Sequence, residues 1–108
     1  MTENSNLLLS NMLNARAEFR KAKYDYINAI QEFCGDAIEH IDISFHGNKM
    51  YVTFMSWGPF DDKFLLKFCN EFCLLSPIIK IHQYTNAGCL TSYEWKFIKI
   101  LKDCDINV

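Results

Sequence analysis

The stretch His40-Ile41-Asp42-Ile43-Ser44-Phe45-His46-Gly47-Asn48-Lys49-Met50-Tyr51-Val52-Thr53-Phe54-Met55 carries two independent signals that agree. Apolar and polar residues alternate with period two on either side of Gly47-Asn48, and that dipeptide suits a two-residue hairpin turn. With such a loop, Phe45 faces Met50, Ile43 faces Val52 and Ile41 faces Phe54, all six on one side of the ribbon. Asp42, Ser44, His46, Lys49, Tyr51 and Thr53 fall on the other side. A one-residue slip would turn every apolar side chain outward, so the pattern specifies the register as well as the strands. The ribbon therefore presents one apolar face that needs a cover.

The cover precedes it. Leu8, Met12, Ala15, Phe19, Ala22, Tyr26, Ala29 and Phe33 are spaced alternately four and three apart, which predicts a helix over about 6–34 with an unbroken a/d stripe. Glu18 and Asp25 fall at g positions, Arg16 and Lys23 at e positions. Acidic g against basic e, for example Glu18 with Lys23 of another copy, is the pattern of parallel helix pairing. Exposed pairs of that kind are worth only ~0.2–1 kcal/mol each, so they set orientation more than affinity. A second apolar set, Leu13, Ala17, Tyr24, Ile27, Ile30 and Cys34, lies off the stripe. One broad face packed on a sheet would explain both sets, and two neighbours would explain them equally. A helix of that extent is ~42 Å long at 1.5 Å per residue, and strands ~5 Å apart make a narrower sheet. The turns around Leu7, Leu8 and Leu9 are expected to overhang, and leaving them in water costs ~25 cal/mol per Å² of apolar surface.

Gly35 is placed to end the helix at the position where a positive φ is often needed. Beyond the hairpin, Gly58-Pro59 breaks the strand. Asp61 or Asp62 caps a second helix to about residue 74, with Phe60 as a staple toward Leu65. Its buried face is Phe64, Leu65, Phe68 and Phe72. Ser76-Pro77 leads to a third strand through Ile79 and Ile81 to about Tyr84. Thr85 to Gly88 form a loop, and a fourth strand runs from about Thr91 to Leu101. Tyr93, Trp95 and Phe97 alternate, and then Ile98 and Ile100 take the opposite parity, which predicts a bulge or a strand end buried on both sides. The order α-β-β-α-β-β, without repeat or linker, gives one α+β domain over 1–108. It is a two-layer sandwich of a four-stranded antiparallel sheet with both helices on one face. The strand order stays open.

Half of the 108 residues are hydrophobic, with nine Phe, five Tyr and two Trp, enough for a core. The net charge of −2 lacks the basic excess that phosphate recognition uses, which disfavours nucleic acid as a partner. No apolar run approaches the ~20 residues of a membrane-spanning helix. Cys34, Cys69, Cys73, Cys89 and Cys104 are odd in number, and no secretory signal is read ahead of them, so reduced thiols in the cytoplasm are expected.

Chemical motifs are sparse. Cys69 and Cys73 lack two further ligands at metal spacing, so buried thiols are expected rather than a metal site. Asp61-Asp62 reads as a helix cap, and no glycine-rich phosphate loop is present, so no cofactor is expected. Cys89, beside Gly88, is the one residue on which a thiol chemistry could be built, if His46 or His82 lay near it. Two sets of residues point to binding instead. Leu8, Met12, Ala15, Phe19, Ala22 and Tyr26 make a helix–helix interface. Trp57 and Phe60 in a turn, with Tyr51, His46, His82 and Tyr84 on or beside the outer sheet face, make a partner or ligand surface. The expected protein is a small non-enzymatic binder that forms a homodimer or higher oligomer. It would regulate or inhibit a protein target, in the manner of phage- or plasmid-encoded inhibitors. The alternative is a nucleotide-type ligand held at the subunit interface.

Overall fold

The computed structural model describes residues 3–84 and 90–102; the expected loop at 85–88, Cys89 and Cys104 lie outside them. Helix α1 (Glu3–Cys34) is followed by a short 3-10 turn (Gly35–Ala37), strands β1 (Glu39–His46) and β2 (Lys49–Ser56), helix α2 (Asp62–Phe72), and strands β3 (Ile78–Tyr84) and β4 (Leu90–Ile100). The strands form one antiparallel sheet in the order β1-β2-β4-β3. This is the α+β layout that the alternation and the caps imply, with the crossover of α2 carrying the chain from β2 to the far edge.

The hairpin forms at the expected turn. Gly47 takes φ 58°, which a glycine adopts without steric cost. Phe45 pairs with Met50 and Ile43 with Val52, as the alternation requires. The third expected pair, Ile41 with Phe54, does not form. Glu39 pairs with Met55 and Asp42 with Thr53, so two residues of β1 stand opposite one of β2. His40 sits at φ 55° and absorbs the extra residue as a bulge. Ile41 nonetheless packs on the core.

The core lies between the hairpin face and the helices. Val52, Phe54, Trp95, Phe97, Phe68 and Ile30 are almost fully buried. Phe68 of α2 is their hub: its ring lies 5.5 Å from Phe54, 4.8 Å from Phe97, 5.8 Å from Phe33 of α1 and 5.0 Å from Phe72. Offset and edge-on aromatic contacts at these spacings add to the burial of each ring. A buried indole N–H needs an acceptor, and Trp95 Nε1 donates to Ser56 Oγ at 2.8 Å, while Ser56 Oγ donates to the Gly58 carbonyl at 2.7 Å. That relay ties the end of β2 to the turn that precedes α2.

Two boundaries and one expected bulge differ from expectation. The first helix begins at Glu3 rather than near Asn6. The second ends at Phe72, because Cys73 adopts a left-handed conformation (φ 55°) and its N–H returns to the Cys69 carbonyl. β4 has no bulge: its register with β2 is continuous from Tyr93 to Ile100. Ile98 is instead half-buried on the outer face opposite Tyr51, and Ile100 is exposed at the strand's end.

Helix α2 starts at its cap. Asp61 Oδ1 accepts from the Phe64 backbone N–H at 2.7 Å. Asp61→Ala should lower stability by about 1 kcal/mol, whereas Phe68→Ala, which empties the hub, should cost about 3–5 kcal/mol. Urea denaturation of the two variants measures both, and equal losses would contradict the assignment of the core.

Candidate functional site

Helix α1 follows one stripe through two environments. From Lys23 onward its side chains meet the sheet unit. Tyr26 lies 5.7 Å from Phe72, Ile30 is fully buried, and Phe33 lies within 6.0 Å of Phe64, Phe68 and Phe72. Lys23 Nζ reaches Asp42 Oδ1 at 3.5 Å, a partly exposed pair that orients more than it stabilises. From Asn4 to Ala22 every residue is exposed. Leu8 is 67% and Met12 62% exposed, and Leu7, Leu9 and Leu13 are also open to solvent. A helix of 32 residues is ~48 Å long, and the radius of gyration of 18.0 Å exceeds the ~13 Å of a compact chain of this length. The projecting half of α1 accounts for the difference.

The composition of that half is unusual for a solvated helix. Residues 4–15 contain no Asp, Glu, Lys or Arg. Five large aliphatic side chains stand in water there with no charge among them, a pattern that marks interaction surfaces more than ordinary exteriors. Among the described residues no helix is long and apolar enough to cross a membrane.

An apolar cleft of about 180 Å³ opens where α1 leaves the sheet. Phe19, Ala22, Tyr26, Ile43, Phe45 and Met50 line it, and Phe19 lies 5.8 Å from Phe45. Three of the six interface residues expected from the heptad, Phe19, Ala22 and Tyr26, are thus walls of this cleft. The other three, Leu8, Met12 and Ala15, continue from it along the exposed stripe. A wider groove of about 590 Å³ lies on the opposite flank of α1, between Arg20, Tyr24, Ile27, Ile41 and Asp42.

The residues expected to form a partner or ligand surface divide into three places. His46 and Tyr51 are edge-to-face at 6.1 Å near the hairpin turn, with Lys96 Nζ 4.6 Å from the Tyr51 ring. Trp57 and Tyr84 meet at 6.2 Å near the other end of the same outer face, and His82 Nε2 stands 3.5 Å from Glu94 Oε2 beside them. Tyr51 and Trp57 are six positions apart in an extended chain, or ~20 Å. Phe60 is on the core side. It stacks on Phe64 at 4.6 Å and packs against Trp95 at 5.2 Å, so the turn presents Trp57 to solvent and holds Phe60 within.

Two features were not anticipated from the sequence. Every residue of the edge strand β3 is exposed, including Ile78, Ile79 and Ile81, because α2 does not extend over this edge. Lys80 is the one charge along it, the kind of residue that discourages edge-to-edge pairing. Ser92, in register with His82, is fully buried, and its hydroxyl has no hydrogen-bond partner among the described residues.

Among the described residues no three of His, Cys, Asp and Glu converge as a metal site. Burial raises the Cys34 thiol to about 11 and also raises Cys69, away from the range in which a thiolate is available. Burial, with the Cys73 thiol nearby, raises Tyr26 as well. Comparison with protein-family models, with curated proteins and with solved structures finds no match for this chain.

The expected burial of the thiols is only partial: Cys34 and Cys69 are half-buried and Cys73 is exposed, so the first two should be slow. A rise from 9.0 to about 11 leaves Cys34 with about a hundredfold less thiolate near pH 8, partly offset by the greater nucleophilicity of the more basic sulfur, for a net slowing of roughly tenfold. Timed alkylation with peptide mapping should therefore find Cys34 roughly ten times slower than a free thiol, and a rate equal to the free thiol would contradict its burial.

Proposed function

We propose that this protein is a self-associating binding protein that works through protein–protein contact, as a regulator or inhibitor, with no catalysis of its own. The observation that carries the reading is the projecting half of α1, whose residues 4–15 carry no charge and leave Leu8, Met12, Leu9 and Leu13 in water. An apolar stripe of that length is costly to leave solvated, and these side chains pack on none of the other elements among the described residues. A second helix laid along it removes the cost.

A target protein needs a surface distinct from the one used for association. The opposite edge of the sheet supplies it: β3 offers an unpaired strand with exposed Ile78, Ile79 and Ile81. The Trp57–Tyr84 pair stands at its end. Exposed aromatic residues next to an open edge fit recognition by strand addition, with main-chain hydrogen bonds for affinity and alternate side chains for choice of partner. The small-ligand alternative is weaker, because His46 with Tyr51 and His82 with Trp57 lie ~20 Å apart within one copy.

Sedimentation at micromolar concentration should show a dimer or larger species. The double substitution Met12→Glu and Phe19→Glu should weaken association at least a hundredfold, counting ~2 kcal/mol for each anchor lost. The variant should keep the near-ultraviolet spectrum of the aromatic core. A wild-type chain that sediments as a strict monomer would overturn the self-association, and a variant that stays associated would move the interface elsewhere.

A further inference from the structure

We infer that the partner on the projecting half of α1 is a second copy lying antiparallel, with Leu8 of each copy seated against Phe19 of the other at the mouth of the cleft. This rests on the self-association proposed above and goes further, because it specifies orientation and register.

The argument begins with the stripe. Leu8, Met12, Ala15 and Phe19 share one face of α1 with Tyr26 and Phe33, given 3.6 residues per turn. From Tyr26 onward that face is taken by the chain's own sheet unit. A parallel partner following the stripe would have to continue past Phe19 into the space that Phe72, Phe68 and the hairpin fill. The parallel arrangement implied by Glu18 and Lys23 is therefore blocked at the residues that would make it. An antiparallel partner meets no such obstacle. Its first turns, from Glu3, lie beside Lys23 and Tyr24, short of Tyr26, and its own sheet unit lies at the far end.

Register follows from the same obstruction. Centring the pair between Met12 and Ala15 sets Leu8 opposite Phe19 and Met12 opposite Ala15, and the two-fold repeats both layers. Each layer joins a large side chain to a complementary one, Met to Ala and Leu to Phe. Sliding one heptad further would bring Leu8 onto Tyr26, which Phe72 already contacts. Sliding the other way shortens the overlap. The chosen register is the longest that clears the sheet.

Charge and shape agree with it. In this register the charged segment from Arg16 onward of one copy runs beside the uncharged residues 4–11 of the other, so no like charges are forced together. The cleft beside Phe19, bordered by Phe45 and Met50, is of about 180 Å³, on the scale of the ~150 Å³ cavities that hold a benzene ring. It has room for an aliphatic side chain of the arriving turn. The contact also needs it: a standard interface uses ~800 Å² on each partner, more than a helix ~10 Å across supplies over three turns. Docking on the hairpin enlarges the contact.

Two single-cysteine additions test this. Differently tagged L8C and F19C chains are mixed at micromolar concentration and oxidised mildly, with the wild-type chain treated alike to score its native thiols. The antiparallel pair gives a disulfide between the two different tags, at twice the monomer mass, and little product from either variant alone, since like positions are ~16 Å apart. Self-linking of L8C or F19C alone would overturn the antiparallel arrangement, as would a dimer in sedimentation that gives no mixed product; both leave self-association standing. A chain monomeric in sedimentation would overturn both, and binding of that monomer to neutral lipid vesicles would identify a membrane surface as the occupant instead. Far-ultraviolet circular dichroism equal to wild type confirms that each variant keeps its helix.

Discussion

The Phe68 ring fixes the geometry of the whole molecule. It packs on Phe54 and Phe97 of the two central strands and on Phe33 near the end of α1. Through it the second helix is held to the sheet and the first helix is held to the second. The attachment point of α1 is therefore its C-terminal half, at Ile30 and Phe33, and not its middle. Once those turns are anchored, a 32-residue helix must run past the hairpin end of the sheet, and among the described residues the turns before Phe19 have nothing of their own chain beneath them. The projection is a consequence of where the aromatic core sits.

That constraint turns one heptad stripe into two surfaces. The same angular face that sets Tyr26 and Phe33 against Phe72 inside the chain offers Leu8 and Met12 outside it. The absence of charge over residues 4–15 keeps the outer part of the stripe available to another apolar surface, while the charged segment that follows it, from Arg16 to Asp25, lies beside and over the hairpin. At the far edge of the sheet the geometry is different. There, among the described residues, β3 is left as an exposed edge strand with no further strand beside it. In the reading proposed above, association at one end and recognition at the other are separated by the width of the sheet, so that one does not block the other.

Much of this was legible in the residues, for reasons that can be stated. The hairpin was readable because turn chemistry and alternation are local and agreed, down to the pairing of Ile43 with Val52. The surplus of α1 was readable because helix length and strand spacing follow from fixed geometry. The bulge at His40 was not, since an extra residue at the start of an edge strand leaves the downstream alternation intact. Nor was the early end of α2, where Cys73, a residue with no special preference for it, takes the left-handed conformation. The parity change at Ile98 was legible as an anomaly, but its resolution required knowing that β4 is central and that Tyr51 stands beside Ile98. Trp57 and Phe60 illustrate the limit for the site. Both looked like turn aromatics, and only the position of Phe64 and Trp95 sends one inward and leaves the other out. Strand order, and with it the open edge at β3, depends on contacts between residues far apart in the chain, and no local pattern encodes them.

The central claim is that the N-terminal half of α1 is completed by a second copy. Hydrogen exchange of the amides of residues 6–18, followed as the protein is diluted, tests it most directly. If a second copy covers the stripe, protection of these amides rises with concentration, while residues 26–34, held by the chain's own core, stay protected throughout. If residues 6–18 exchange at the same rate at every concentration, no second copy covers them, and the account fails.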